Sequence, residues 1–189
     1  MITMKRFRRP AVALAWAFLI GSALASEGDR GSDDRGAEKF KASLSGYQEV
    51  PTLSSAGTAN FRARIADDGQ SFDWVLTYSG LENVTQAHIH FGARALNGPI
   101  VIFLCTNLGN ATPGTGSGTQ ACPASAGTVT GTAVPADVGA GATGMGIGAG
   151  EFAKVLDAIR AGAAYANIHT AQRQAGEVRG QIKDHHDHH

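Results

Sequence analysis

The amino-acid sequence predicts an all-β fold, an antiparallel β-sandwich over residues 40–183 with one short helix. Two observations favour strands. Apolar and polar side chains alternate through most of this region, and glycine is abundant at 25 of 189 residues, as in short strands joined by tight turns. A third observation adds the helix, because one segment, residues 151–161, has a 3.6-residue period. The length suits one core rather than two domains.

The first half of the domain contains five predicted strands. They span residues 40–44, 59–65, 72–78, 84–91 and 100–105. The second and third should pair as a hairpin, because Asp67-Asp68-Gly69 between them is a turn signal. The last of the five is apolar throughout, which is typical of a strand buried on both faces.

The second half alternates loops with short elements. Loops are predicted at residues 106–127 and 135–150, and strands at residues 128–134, 164–169 and 177–182. The last two strands should form a closing hairpin around Gly176. Phe152, Val155 and Ile159 lie on one face of the predicted helix, and Gly162 suits its C-terminal end.

Residues 1–25 have the three parts of a secretory signal peptide. Four basic residues precede an apolar run at residues 11–20, and Ala23-Leu24-Ala25 is a cleavage signal. Residues 26–39 are charged and lack aromatic side chains, which predicts a disordered linker. We therefore expect an exported protein, periplasmic or secreted.

Charge and hydropathy exclude nucleic-acid binding and an integral membrane protein as classes for this chain. Cleavage after Ala25 would remove four of the sixteen basic residues and none of the sixteen acidic ones, which leaves a net charge of −4 with histidine neutral. A mildly acidic chain without a basic cluster is a poor ligand for nucleic acid. No long apolar segment follows the signal peptide, so no integral membrane segment is expected after cleavage.

Cys105 and Cys122 are the cysteines of the exported chain. An oxidising compartment favours a disulfide that closes the loop between them. The alternative is a metal-binding pair of thiols.

His88-Ile89-His90 is the most informative motif of the chain. Residues two apart in a strand share a face, so both imidazoles should form half of a metal site. His169, the one other histidine before the tail, also lies on a predicted strand. If the two strands are neighbours, the three imidazoles converge and suit copper, or alternatively zinc, with an open coordination position. The alternatives are solvated surface histidines at 88 and 90, and a His169 that holds a loop.

Such a site should respond to acid. Protons compete with metal for neutral imidazoles, which titrate near 6.5 when unperturbed. We therefore expect affinity to fall steeply between about pH 7 and about pH 5.

Residues 184–189 form a second histidine cluster without an apolar residue, which predicts a flexible tail and a secondary metal site. Its histidines are His185, His186, His188 and His189. Arg179, on the last predicted strand, would guide an anion towards the metal or pair with Glu177. The sequence has no nucleophile elbow and no phosphate-binding loop, so no catalytic residue is assigned.

Three blocks of the sequence resemble the CHRD (chordin) domain family. They are FKASLSGYQEVP at residues 40–51, AHIHFGARALNGPIVIFL at residues 87–104 and AGAAYANIHTAQRQAGEVRGQI at residues 161–182. The resemblance implies an immunoglobulin-like β-sandwich of the kind found in bacterial secreted proteins and in extracellular chordin. It implies little about activity, since the family has no established general function. The chain departs from the family in its long insert at residues 106–150 and in its histidine tail.

A second resemblance concerns copper-zinc superoxide dismutase, a Greek-key β-sandwich. That family has two copper ligands in an H-x-H strand, a later histidine ligand and an arginine near the metal. The residues that are similar in order are His88, His90, His169 and Arg179. No histidine lies between residues 91 and 168, where that family keeps its zinc ligands, so a zinc site of that kind is not expected.

Three functions follow for the exported domain. The first is metal binding, with copper as the metal, for storage, delivery or tolerance. The second is a non-enzymatic interaction module with structural histidines, which would bind an envelope protein. The third is a copper redox enzyme of the dismutase type, which rests on analogy. We expect a non-enzymatic role.

Overall fold

The computed structural model describes residues 38–111 and 119–185. The strands in these ranges are β1 Lys39–Ser45, β2 Thr58–Ile65, β3 Phe72–Ser79, β4 Val84–Phe91, β5 Ile100–Thr106, β6 Gly127–Ala133, β7 Ala164–Thr170, β8 Val178–Gln181 and β9 Lys183–Asp184. Helix α1 spans Phe152–Arg160, and short 3₁₀ turns span Gly46–Gln48, Pro135–Asp137 and Ala140–Met145. The predicted signal peptide, the linker as far as residue 37 and tail residues 186–189 lie outside the described residues.

The strands confirm the all-β, antiparallel class with one short helix. They form one hydrogen-bonded sheet in the order β5-β4-β7-β8-β1-β2-β3-β6, with β9 beside β1. The expected hairpins, β2–β3 and β7–β8, are both present. The predicted loop at residues 135–150 contains two of the 3₁₀ turns.

The continuity of the sheet differs from the predicted sandwich. β7 pairs with both β4 and β8, and β1 pairs with β2 and, through Ser45 and Arg179, with β8. Hydrogen bonds therefore bridge the gap that would separate two sheets. The outermost strands β5 and β6 contact each other, so the sheet is barrel-like and nearly closed. Alternating polarity does not distinguish these architectures, because each strand buries one face in both.

The inner face of the sheet carries the core. Buried and exposed residues alternate without exception along β2 and β3, and Phe61 and Leu76 are fully buried. Burying one such side chain contributes about 1.5–3 kcal/mol. Helix α1 closes the core with its apolar face, and the ring of Phe152 stacks 5.5 Å from that of Phe72. No helix in the described ranges is both long and apolar enough to cross a membrane.

The disulfide between Cys105 and Cys122 is present, as predicted. It joins the end of β5 to the segment that precedes β6, where the sheet nearly closes. Hydrogen bonds reinforce the junction, since the Cys122 N–H donates to Asn107 Oδ1 at 3.0 Å and the Thr106 N–H to Gln120 O at 3.0 Å. The thiols are therefore not metal ligands in this form.

Burial extends to both faces of the sheet along β4, β7 and β8, as it also does along most of β5, which was predicted to be buried on both faces. Every residue of β7 and β8 is buried, as are residues 87–90 of β4. Their outer face lies beneath three loops, which we call the cover loops: residues 46–57, 92–99 and 171–177. A polar outer face is thereby converted into an enclosed site.

Candidate metal centre

The pairing of β4 with β7 arranges the candidate ligands in a grid. In this antiparallel register His88 lies opposite Asn167 and His90 lies opposite Tyr165, while His169 follows two residues after Asn167. Opposite residues of antiparallel strands share a face, as do residues two apart. The three histidines therefore share the outer face, and Asn167 lies on the same face, opposite His88 and next to His169. We call His88, His90 and His169 the histidine triad.

The triad is close-set and buried. The exposed fractions are 0% for His88, 7% for His90 and 6% for His169. One ring nitrogen from each lies within 4.8 Å of those of the other two. Imidazole nitrogens bind zinc at about 2.0–2.1 Å, so a small inward movement of the rings would place all three around one ion.

Hydrogen bonds orient two of the three rings. Nδ1 of His90 donates to Gly98 O at 2.8 Å, and Nδ1 of His169 donates to Gln174 O at 2.9 Å, because a carbonyl can only accept. In the neutral rings this leaves a free lone pair on each Nε2. Neither Nε2 has a partner among the described residues, and neither nitrogen of His88 has one. Metal-ligating histidines usually donate their other N–H to a carbonyl or carboxylate in this way.

Burial keeps the triad neutral. Desolvation lowers the pKa of His88 to about 2, with His169 and His90 adding repulsion. Desolvation likewise lowers the pKa of His90 to about 4, although its hydrogen bond to Gly98 acts in the opposite direction. The pKa of His169 is also lowered by burial. At neutral pH all three rings are therefore free of competing protons.

Asn167 is buried beside the triad and Glu49 is buried beside Asn167, and sequence reasoning did not assign either to the site. Asn167 Oδ1 and Glu49 Oε1 both lack hydrogen-bond partners in the described part of the chain. Each lies 2.8 Å from the point that a Cβ on Gly176 would occupy, so the two oxygens are neighbours. Burial raises the pKa of Glu49 to about 7, against the attraction of Arg179. Period-two spacing placed Asn167 on the face of His169, but no spacing links Glu49, on a cover loop, to the triad.

Tyr165 and Arg179 extend the site along the sheet. The rings of His90 and Tyr165 stack at 4.8 Å with an interplanar angle of 8°. The guanidinium Cζ of Arg179 lies 3.4 Å from the centre of the Tyr165 ring. Arg179 is only 2% exposed. It therefore packs within the protein beside the triad.

The hydrogen bonds of Arg179 go to the cover loop at residues 92–99. Its Nη1 donates to Asn97 Oδ1 at 3.3 Å and its Nη2 to Ala93 O at 3.2 Å. Glu177, the suggested ion-pair partner, accepts instead from the hydroxyls of Ser55 and Thr170 at 2.8 and 2.6 Å. Guidance of an anion by Arg179 stays a prediction.

The structure does not bring the tail to the triad within the described residues. His185 donates its backbone N–H to Lys39 O at 2.8 Å, at the end of β1 opposite to Ser45, which pairs with Arg179. His186, His188 and His189 lie outside the described residues.

Residues 40–182 match the sequence profile of the CHRD domain. The chain belongs to the CHRD family. The matched region of this CHRD domain includes the histidine triad, Glu49, Asn167 and the cover loops. No curated protein matches the chain at a significant level.

Proposed function

We propose that this CHRD domain is an exported metal-binding protein that holds one copper ion at His88, His90 and His169, for storage, delivery or tolerance. The observation that carries the proposal is the set of buried ring nitrogens in the triad without partners among the described residues. Leaving one buried polar group unpaired costs about 1–3 kcal/mol, and most such groups are paired. A metal ion would supply the missing partner to all three rings at once.

The same geometry argues against purely structural histidines, the role that the interaction-module alternative requires. A structural imidazole would use both nitrogens in hydrogen bonds, whereas His90 and His169 use only Nδ1. His88, fully buried with no partner in the described ranges, has no evident structural role. Its closest ring neighbour is Phe103, with the ring centroids 4.3 Å apart and the rings nearly perpendicular, and that ring has no nitrogen or oxygen to accept a hydrogen bond.

Copper is favoured over zinc by the general order of affinities among divalent metals. Imidazole suits both metals, and divalent copper binds nitrogen ligands more tightly than zinc in the general affinity order. Export is supported by the disulfide, because such bonds persist in oxidising compartments. A dismutase-type reaction gains no comparable support, since the hydrogen bonds of Arg179 go to a cover loop.

Copper loading of the full chain tests the proposal. The four tail histidines are first replaced (His185→Ala, His186→Ala, His188→Ala, His189→Ala) to remove the secondary site; we call this the tail-substituted chain. After equilibration with copper(II) and gel filtration, elemental analysis should give one copper per chain. The further changes His88→Ala, His90→Ala and His169→Ala should abolish it.

Two results would contradict copper binding at the triad. One is a copper content near zero in the tail-substituted chain, and the other is a content that the triad changes do not alter. Capture of an envelope protein by the copper-free chain, unaffected by chelator, would then favour the interaction module. Equal competition with zinc(II) under the same conditions would remove the preference for copper but not the site.

A further inference from the structure

We propose that Asn167 and Glu49 complete the metal centre as hydrogen-bond acceptors for a small protic ligand, such as water, at the open coordination position beside the histidine triad. This inference rests on the proposed function, since it assigns a ligand to the position that three imidazoles leave open. It adds two residues, and a class of ligand, to the site.

The position of Asn167 is the first argument. On the outer face of β4 and β7 it lies directly opposite His88 and next to His169, with His90 on the diagonal. An ion held by these three rings would therefore have the Asn167 amide as a neighbour on the same face of the sheet. The residue is 4% exposed, and its Oδ1 has no partner among the described residues.

Glu49 provides the second acceptor. It is 6% exposed, and its Oε1 is likewise unpaired within the described ranges. It lies on the cover loop at residues 46–57, and its Oε1 and Asn167 Oδ1 each lie 2.8 Å from the point that a Cβ on Gly176 would occupy. Gly176 permits this approach, because a Cβ there would lie 2.6–2.8 Å from Asn167 and Glu49 side-chain atoms.

The chemistry of these atoms selects the ligand. Both unpaired atoms are oxygens that accept hydrogen bonds, so the complementary ligand has an O–H or N–H donor as well as a lone pair for the metal. Water meets both requirements. An aprotic anion such as azide has no donor to offer and would place its charge beside the Glu49 carboxyl. The pair of oxygens should therefore favour protic ligands over aprotic anions.

Substitutions of similar size separate the acceptors from the metal ligands. Asn167→Leu and Glu49→Leu each remove an acceptor, whereas Glu49→Gln keeps an acceptor oxygen and removes only the charge. Each variant is made in the tail-substituted chain and loaded with one equivalent of copper(II) at pH 7. Copper content, pulsed electron paramagnetic resonance in D₂O and optical titration with sodium azide are then measured. The D₂O experiment detects exchangeable deuterons of water bound at the metal.

We expect all three variants to keep one copper. The two leucine variants should lose most of the deuteron coupling and bind azide about 10-fold or more tightly, which corresponds to one lost hydrogen bond of about 1.4 kcal/mol. Glu49→Gln should retain the coupling.

Two results would overturn the inference on its own, and both differ from failure of copper binding. An unchanged deuteron coupling and azide affinity in the leucine variants, with one copper bound, would exclude both acceptors. A Glu49→Gln variant that behaves like Glu49→Leu would show that the charge of Glu49, and not its hydrogen bonding, determines the deuteron coupling and the azide affinity. If Asn167→Leu fails to fold, as judged by circular dichroism, the Glu49 pair decides the result, because Glu49 lies on a loop. An absence of copper from the parent tail-substituted chain would contradict the proposed function itself, and the inference with it.

Discussion

Burial of each triad ring determines how the site responds to acid. The unperturbed imidazole value implied steep loss of metal between about pH 7 and about pH 5, but the pKa values of the buried rings, about 2 for His88 and about 4 for His90, contradict that reasoning. A lowered pKa means that protons compete for the ring nitrogens only in more acidic solution. The acid release of metal therefore shifts to lower pH than the sequence suggested.

We predict that the tail-substituted chain keeps most of its copper affinity from pH 7 to about pH 5 and loses it towards pH 4. Chelator competition at pH 7, 5 and 4, with circular dichroism to confirm the fold, measures this. A chain that keeps the tail but has alanine at all three triad positions provides the comparison. It should release copper at a higher pH than the tail-substituted chain, since residues 184–189 contain no apolar side chain. Parallel pH profiles for the two chains would refute the prediction.

Gly176 lies where the side chains of Asn167 and Glu49 leave no room for a larger residue. It has a φ of +129°, and an added Cβ would meet Asn167 and Glu49 at 2.6–2.8 Å. We predict that Gly176→Ala destabilises the protein by about 1–3 kcal/mol and also alters the copper spectrum, because the two acceptors must move. Gly69→Ala is the matched control, since Gly69 also has a positive φ, +66°, but has open space around it. Urea unfolding of both variants, with the copper spectrum recorded for each, makes the comparison; equal effects would exclude a special role for Gly176.

Among the elements, the cover loop at residues 92–99 connects the fold to the site. Gly98 O fixes the His90 ring, the Gly98 N–H donates to the Tyr165 hydroxyl at 3.0 Å, and Arg179 holds the same loop at Asn97 and Ala93. We therefore propose that Arg179 positions His90 through this loop.

This role predicts that Arg179→Leu lowers copper affinity by about 10–100-fold, the usual cost of losing a residue that orients a metal ligand. Arg179→Lys should not restore it, because a lysine keeps the charge but lacks the planar fork that reaches both Asn97 and Ala93. Hydrogen exchange of residues 92–99 should accelerate in both variants. Full recovery in Arg179→Lys would instead favour an electrostatic role, as in guidance of an anion.

The elements also show how far the sequence could predict the site. Alternation located β2 and β3 within one residue at each end, because each buries one face and exposes the other. It could not reveal that β7 and β8 are buried on both faces, since that depends on loops distant in sequence. The triad could be predicted because the two histidines of the H-x-H motif share a face of their strand. One further histidine comes close to them as soon as the two strands pair. Glu49 could not, because it reaches Asn167 through a loop whose path no periodicity encodes.

At the scale of the whole molecule, the sheet has two edge strands that meet without a full ladder. β5 and β6 contact each other, and the disulfide between Cys105 and Cys122 joins the end of β5 to the segment that precedes β6. Cys105 lies opposite Ala87, next to the first triad residue on β4, but on the inner face of the sheet. The bond should thus stabilise the fold that holds the triad, without taking part in metal binding.

We predict that replacing both cysteines, Cys105→Ser with Cys122→Ser, lowers the free energy of unfolding by about 3 kcal/mol. The two residues are 17 positions apart. A crosslink over a loop of that size restricts the unfolded chain by about this amount in the chain-entropy model. Urea unfolding of the two chains measures the difference, and copper loading of the tail-substituted double variant should still give one ion per chain. Loss of copper from a variant that remains folded would contradict the separation of the two roles. It would mean that closure of the sheet at β5 and β6 sets the spacing of the histidine triad, even though the disulfide lies on the opposite face.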